Sequence, residues 1–251
     1  MVAPTPRSGG AASIAGRGIV RRFETDNGPF VAVDDVSFKI ERGEFVSLIG
    51  PSGCGKSTLM LMAAGLQSVS GGELAVDGVR LAKPLTDVGI VFQDHLLLEF
   101  RTAMANVMLQ AEVRGLPIAE TRARAGRLFE KLGIADAADR YPKQLSGGMR
   151  QRVSIARALI HEPSILMMDE PFGALDAITR TQIRHDLEVL WMETHKTVLF
   201  ITHSLEEAIG LSDRVLVMSP SPGRIVDEIR IALPRPRPAH LGDYQIGRAH
   251  V

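Results

Sequence analysis

The stretch that most restricts the fold is Gly50-Pro51-Ser52-Gly53-Cys54-Gly55-Lys56-Ser57, followed by Thr58. It fits the pattern G-x-x-x-x-G-K-[ST] and lies between a short apolar run, Phe45–Ile49, and a helical pattern from Lys56 to Ala64. Gly50, Gly53 and Gly55 let the backbone curl until its N–H groups converge on phosphate oxygens, and the helix behind adds its positive end. Lys56 is then suited to reach the β- and γ-phosphates of a nucleotide, and the Ser57 hydroxyl to hold Mg²⁺. A glycine-rich turn that happens to precede a lysine is the competing reading, and the strand–loop–helix setting argues against it. Alone, this loop specifies only a nucleoside triphosphate.

A second segment, Ile165-Leu-Met-Met-Asp169-Glu170, supplies acids at the end of an apolar run that predicts a buried strand. In an open α/β sheet ligands collect at the carboxyl ends of the strands. Asp169 is thereby expected to bind Mg²⁺, and Glu170 to polarise an attacking water as general base. A third segment, Leu145-Ser-Gly-Gly-Met-Arg-Gln151, opens a helix with Ser146 as N-cap and Gly147 and Gly148 open to close approach. A bare helix start is an anion site, and the chain already has one at Lys56. The γ-phosphate held by a second copy is the partner this suggests; a capped helix with a Gly-Gly entry is the plainer reading.

Around these motifs the pattern alternates strand and helix. Strands are expected at Ile19–Arg22, Val31–Ile40, Phe45–Ile49, Val88–Phe92, Ile165–Met168, Val198–Ile201 and Arg214–Met218, with a hairpin over Gly71–Leu81. Thr102–Val113, Ile118–Leu132 and Ser146–Leu159 read as helices, as do Thr179–Glu193 and Leu205–Ile209. The fold class is therefore α/β: a mostly parallel sheet with an antiparallel β subdomain and an inserted helical subdomain over about 95–160. The main domain is expected over 17–238. Residues 1–16, rich in Pro, Gly, Ala and Ser, read as a disordered leader without the apolar core of a signal peptide. After Ile231, the run Leu233-Pro-Arg-Pro-Arg-Pro238 cannot hold a helix or a central strand, so order is expected to end near there. The remaining 239–251 form a tail, whose Ile246-Gly-Arg-Ala-His-Val251 resembles a translated sequencing adapter.

Composition narrows the function. The 29 basic residues equal the 29 acidic ones, so no basic excess points to DNA or RNA. Cys54 is the only cysteine, which excludes an internal disulfide and fits a reducing compartment. No run of 18 apolar residues occurs, so a membrane role must come through a partner.

Taken together, residues 17–238 resemble the ABC transporter ATPase family. The phosphate loop, Leu145–Gln151, Met168-Asp-Glu-Pro171, Gly173-Ala-Leu-Asp176 and His203 stand in that family's order. The resemblance implies a P-loop NTPase fold with ATP and Mg²⁺ as cofactors. It implies that two copies, or a paired ATPase subunit, bury ATP between one phosphate loop and the other's Ser146–Gly148, with Gln151 on the same helix. It assigns Gln93 to sensing Mg²⁺ and the γ-phosphate, His203 to bonding the γ-phosphate, and Asp176 to joining the two sites. Phe23 matches an adenine-stacking position; core packing, or Phe30 as the stacking ring, are the alternatives. Asp169–Arg180, Leu205–Ile209, Met218–Arg224 and Leu233–Arg237 are most similar to importers of nitrate, aliphatic sulfonates and taurine. This implies permease subunits, a solute-binding protein acting indirectly, and a peripheral place on the cytoplasmic face of the inner membrane. One departure stands out: Leu97-Leu98-Glu99-Phe100 replaces that subgroup's Leu-Leu-Pro-Trp. A small-molecule kinase would not need Leu145–Gln151, and a non-hydrolysing regulator would not need Glu170. A soluble repair or translation protein of the same family needs more chain than 251 residues.

Overall fold

The structure is a computed structural model and describes residues 13–26, 28–173 and 175–238. Its centre is a six-stranded sheet in the order β10-β9-β3-β8-β7-β6. These strands are β3 (Phe45–Ile49), β6 (Val88–Val91), β7 (Ile165–Asp169), β8 (Thr197–Ile201), β9 (Arg214–Met218) and β10 (Ile225–Arg230). All neighbours are parallel except β10, which runs antiparallel to β9. A second, antiparallel sheet of β1 (Ile14–Thr25), β2 (Gly28–Ile40), β4 (Gly71–Val76) and β5 (Val79–Arg80) takes the order β2-β1-β4-β5.

The central strands are apolar throughout because both faces are covered, as parallel sheets require. Side chains alternate between the two faces. Leu166, Met168, Val198 and Phe200 enter one core with the helices α2 (Ala103–Arg114), α3 (Ile118–Lys131), α4 (Gly147–Leu159) and α5 (Ala177–Thr194). Ile165, Met167, Leu199 and Ile201 enter another with α1 (Lys56–Ala63) and the antiparallel sheet. The last helix, α6 (Leu205–Leu211), packs on β3 and α5. Between β6 and β7 the chain is helical, as expected. There α4 packs on α2 and α3 and also lies on β6 and α5, which seats it against the central sheet.

Local chemistry sets the helix ends. Thr102 caps α2 by accepting from Ala105 N at 3.2 Å, and Gly115 ends that helix with φ 65°. Asp176 and Ser204 cap α5 and α6 in the same way. At α1 the cap position is Gly55, which has no side chain to offer.

Three boundaries differ from expectation. Ser13 and Ile14–Gly16, assigned to the leader, are part of the sheet: Ser13 N donates to Asp77 Oδ1 at 2.8 Å, and Ile14–Gly16 pair with both β2 and β4. Gly16 is required there, since a Cβ would lie 2.5 Å from the Phe38 ring. The polar strand β10 was not expected, and it pairs along one edge only. Order also continues past Ile231. Arg235 stacks 4.2 Å over the Trp191 ring, and both Arg235 Nη1 and the Arg237 backbone N–H donate to the buried Glu188. The leader over 1–12 and the tail over 239–251 lie outside the described residues.

Gly89 fixes how closely α4 approaches the sheet: a Cβ on it would lie 2.3 Å from Ala158 O, a backbone atom that cannot move aside. Gly89→Ala should cost about 1–3 kcal/mol of stability, as overpacked core positions do. Urea denaturation followed by circular dichroism measures it.

Candidate functional site

The carboxyl ends of β3, β6, β7 and β8 gather most of the expected site. After β3 the chain turns through Gly50 to Gly55 and enters α1. Gly55, at φ 97°, lies where a Cβ would be 2.7 Å from Ala32 O and 2.9 Å from Val33, so only glycine allows this approach to β2. Because α1 has no side-chain cap, its first N–H groups stay available to an anion. Lys56 is 5% exposed, and its ammonium is held inside the loop, donating to Gly50 O at 2.9 Å and Pro51 O at 2.8 Å. An ammonium has three donors, and the third, set only toward the weakly accepting Cys54 sulfur, can turn to a phosphate oxygen. Cys54 is buried with its sulfur 3.9 Å from that ammonium; it fills space beneath the turn.

Asp169 ends β7, directly beside Ile201 of β8. Burial pushes its pKa above the ordinary carboxylate value; a hydrogen bond from Ser57 opposes the shift, the neighbouring Glu170 adds to it, and Lys56 opposes it. A desolvated carboxylate facing a hydroxyl, beside an adjacent acid, is a donor set that a divalent cation would stabilise, so Ser57 and Asp169 fit Mg²⁺. Gln93 is exposed in the loop after β6, and β6 pairs Val91 with Met168, which puts the loop beside the end of β7.

Glu170 takes a left-handed backbone with φ 43°, an uncommon conformation for a residue other than glycine. Its N–H donates to Ile201 O at 2.9 Å, which holds this turn against β8. The turn directs the carboxylate to His203, whose Nδ1 lies 3.1 Å from Glu170 Oε2. His203 is 60% exposed, so its far edge faces outward.

The Ser146 helix start is elsewhere on the surface. Ser146 Oγ accepts from Met149 N at 3.3 Å, and Ser146 and Gly147 are exposed. Gly148 is buried, and a Cβ on it would lie 2.5 Å from Thr179 of α5. Gln151 is 0% exposed and lies against His95. The Gly173–Asp176 loop runs next to this helix start, with Leu175 3.7 Å from where a Gly147 Cβ would be. Ala174 lies outside the described residues. Asp176 is committed as the cap of α5, accepting from Thr179 N at 3.0 Å, which lowers its pKa.

Phe23 is not a core residue. It is half-buried at the far end of β1, with the Arg21 guanidinium 4.4 Å above its ring and Phe30 directly opposite in register. The exposed Phe30 precedes by two residues the Ala32 that touches the phosphate loop.

Sequence reasoning gave no role to Arg157, although it ties α4 to the loop after Gln93 by donating to His95 O at 2.7 Å and Leu96 O at 2.6 Å. Nor did it single out Thr202, Glu207 or Arg180, which lie behind His203. Backbone carbonyls and long-range ion pairs leave no periodic trace, so no signal could have found them. A cavity of about 440 Å³ lies at the opposite end of the sheet, lined by Phe45, Leu166, Trp191 and Val198, and has no part in this site.

Residues 33–173 match the family described as ABC transporter. The chain is 38% identical over 227 residues to the aliphatic sulfonates import ATP-binding protein of Bacillus cereus, covering 90% of this chain and 89% of that one. It is 41% identical over 220 residues to the nitrate import ATP-binding protein of Synechococcus elongatus, covering 86% and 80%. A solved dimeric structure of a post-hydrolysis ATP-binding cassette bound to ADP and Pi superposes with a TM-score of 0.77 at 30% identity, covering 87% of this chain and 98% of that one. The family match takes in more than half of the chain and agrees with the phosphate loop and acid pair described above. The chain therefore belongs to the ABC transporter family, as an ATP-binding cassette that hydrolyses its nucleotide.

Proposed function

We propose that this cassette energises an importer of a small oxoanion, nitrate or an aliphatic sulfonate such as taurine, and that it works as a face-to-face pair. The observation that carries hydrolysis is the Glu170 carboxylate, held 3.1 Å from His203 beside the Asp169–Ser57 contact. The observation that favours a pair is the exposed helix start at Ser146 and Gly147, on a chain whose own phosphate loop already has Lys56. The likeness to nitrate and aliphatic sulfonate import ATP-binding proteins supports the solute class. An import role calls for transmembrane permease subunits, which the cassettes meet at the cytoplasmic face of the inner membrane, with a solute-binding protein engaged indirectly. Among the described residues no helix is long and apolar enough to cross a membrane.

In this reading the curled loop from Gly50 to Gly55, with Ser52 and Thr58 alongside, wraps the phosphates in backbone N–H groups, and Lys56 adds a charged hydrogen bond. Ser57 and Asp169 would hold Mg²⁺, with Gln93 alongside, and the bound ion would supply positive charge to offset that of the phosphates. Glu170 accepts a proton from water as the water oxygen bonds to the γ-phosphorus and the bond to the β-phosphate oxygen breaks, releasing ADP. With one oxygen fixed by His203, the other is directed to that water. With Nδ1–H directed to Glu170, His203 bonds the γ-phosphate only through an Nε2–H, so it acts here as an imidazolium that donates from both ring nitrogens. Phe23, or Phe30 opposite it, stacks on adenine. Ser146 and Gly147 of one copy close over the nucleotide of the other, and Asp176 lies at the seam.

Glu170→Gln should lower ATP turnover by about 10²–10⁴-fold, the usual cost of losing a general base. With ATP and Mg²⁺ it should accumulate as a dimer in size-exclusion chromatography; a persistent monomer would contradict the pairing. Lys56→Ala should weaken nucleotide affinity at least about tenfold, the cost of a charged hydrogen bond to phosphate, in equilibrium titration. Specific activity of the unaltered chain should fall on dilution, and Ser146→Trp should remove activity while leaving ATP binding intact.

A further inference from the structure

Glu207 is a buried carboxylate, 6% exposed, that the mechanism above does not use. It occupies the third position of α6, where a glutamate commonly closes a capping box by reaching back to the N–H of the cap residue. Half of that box is present, since Ser204 Oγ accepts from Glu207 N at 3.3 Å. The carboxylate, however, turns inward. The Thr202 hydroxyl donates to Glu207 Oε2 at 2.5 Å, and Thr202 Oγ1 in turn accepts from the Ser204 N–H at 3.0 Å. Of the two neighbours of His203, Thr202 is thus tied to the carboxylate directly and Ser204 through the Thr202 hydroxyl.

The other oxygen faces α5. Glu207 Oε1 lies 3.8 Å from Arg180 Nε, which is buried and makes no hydrogen bond among the described residues. Arg180 Nη2 donates to Leu175 O at 2.9 Å, next to Asp176 and against the Gly147 wall. A capping role needs none of this and could be filled by an exposed glutamate at no desolvation cost. Burial does raise the Glu207 pKa, and the Thr202 hydrogen bond and the Arg180, His203 and Arg184 charges oppose the rise.

We propose that Glu207 and Arg180 form a positioning pair for hydrolysis, fixing the Thr202–Ser204 loop that carries His203 to the Leu175–Asp176 segment before α5. The histidine that holds Glu170 and the segment at the proposed seam are then set in place as one unit. This rests on the roles given to His203 and Asp176 above.

The test is steady-state ATP hydrolysis by the full chain carrying Glu207→Gln, Arg180→Met, both together, or His203→Ala, with turnover normalised to titrated ATP sites. Glu207→Gln keeps an oxygen for Thr202, and Arg180→Met keeps the stem on a partly exposed side chain, so the two variants fail independently if folding is at issue. The expected result is about a tenfold loss in kcat for each single variant, an unchanged KM for ATP, and a double variant no worse than either single, as members of one contact behave. Normal kcat per site with a lowered Tm, or losses that multiply in the double variant, would overturn the pair. Loss of activity in His203→Ala alongside normal Glu207→Gln and Arg180→Met would sink this inference and leave the reading of the site standing. A normal His203→Ala would remove the reading itself.

Discussion

The uncapped start of α1 is the feature on which the rest depends. The other helices that flank the site begin with a side chain that occupies an N–H: Ser146 at α4, Asp176 at α5 and Ser204 at α6. At α1 the cap is Gly55, so among the described residues no side-chain cap competes for those donors. The absence of a side chain has a second effect, since it lets Ala32 and Val33 of the antiparallel sheet press against the loop from outside. Gly223 supports the loop from another direction, where a Cβ would lie 2.0 Å from Cys54 O. The loop is shaped by contacts on its outer side, and its inner side is left to the lysine and the ligand.

Desolvation acts on the acids at the same edge. Asp169 ends a strand covered on both faces, and its raised pKa reflects the burial of its charge. The next residue leaves the strand through a left-handed turn, which would be costly without support. The Glu170 N–H bond to Ile201 O supplies that support, so β8 sets the direction of the carboxylate at the end of β7. The same strand leads directly to Thr202 and His203. One register, Asp169 against Ile201, therefore brings the acid and the histidine to a common place.

Much of this was legible because it is local or periodic. The phosphate loop, the apolar strands and the helix caps each follow from neighbouring residues, and the strand order only arranges them. What escaped depends on packing between distant segments. Ile14–Gly16 look like leader by composition, yet the Phe38 ring selects glycine at 16. Gln151 sits on the same helix as Ser146, and spacing alone does not say that its amide turns inward toward His95. The Pro-Arg-Pro-Arg run carries no periodic signal, and its order comes from a buried glutamate on another helix and a tryptophan ring. The carboxylate of Glu207 is hidden for the same reason.

The hydrogen bonds from Arg157 to His95 O and Leu96 O fasten the loop after Gln93 to the end of α4 opposite Ser146. Its thirteen residues span about 20 Å at 1.5 Å per residue, from the guanidinium end to the outward-facing Ser146. In the gripped segment and just after it, Leu96 and Phe100 are 58% and 75% exposed. The exposed apolar side chains of that loop and the outward-facing serine therefore stand at opposite ends of one helix.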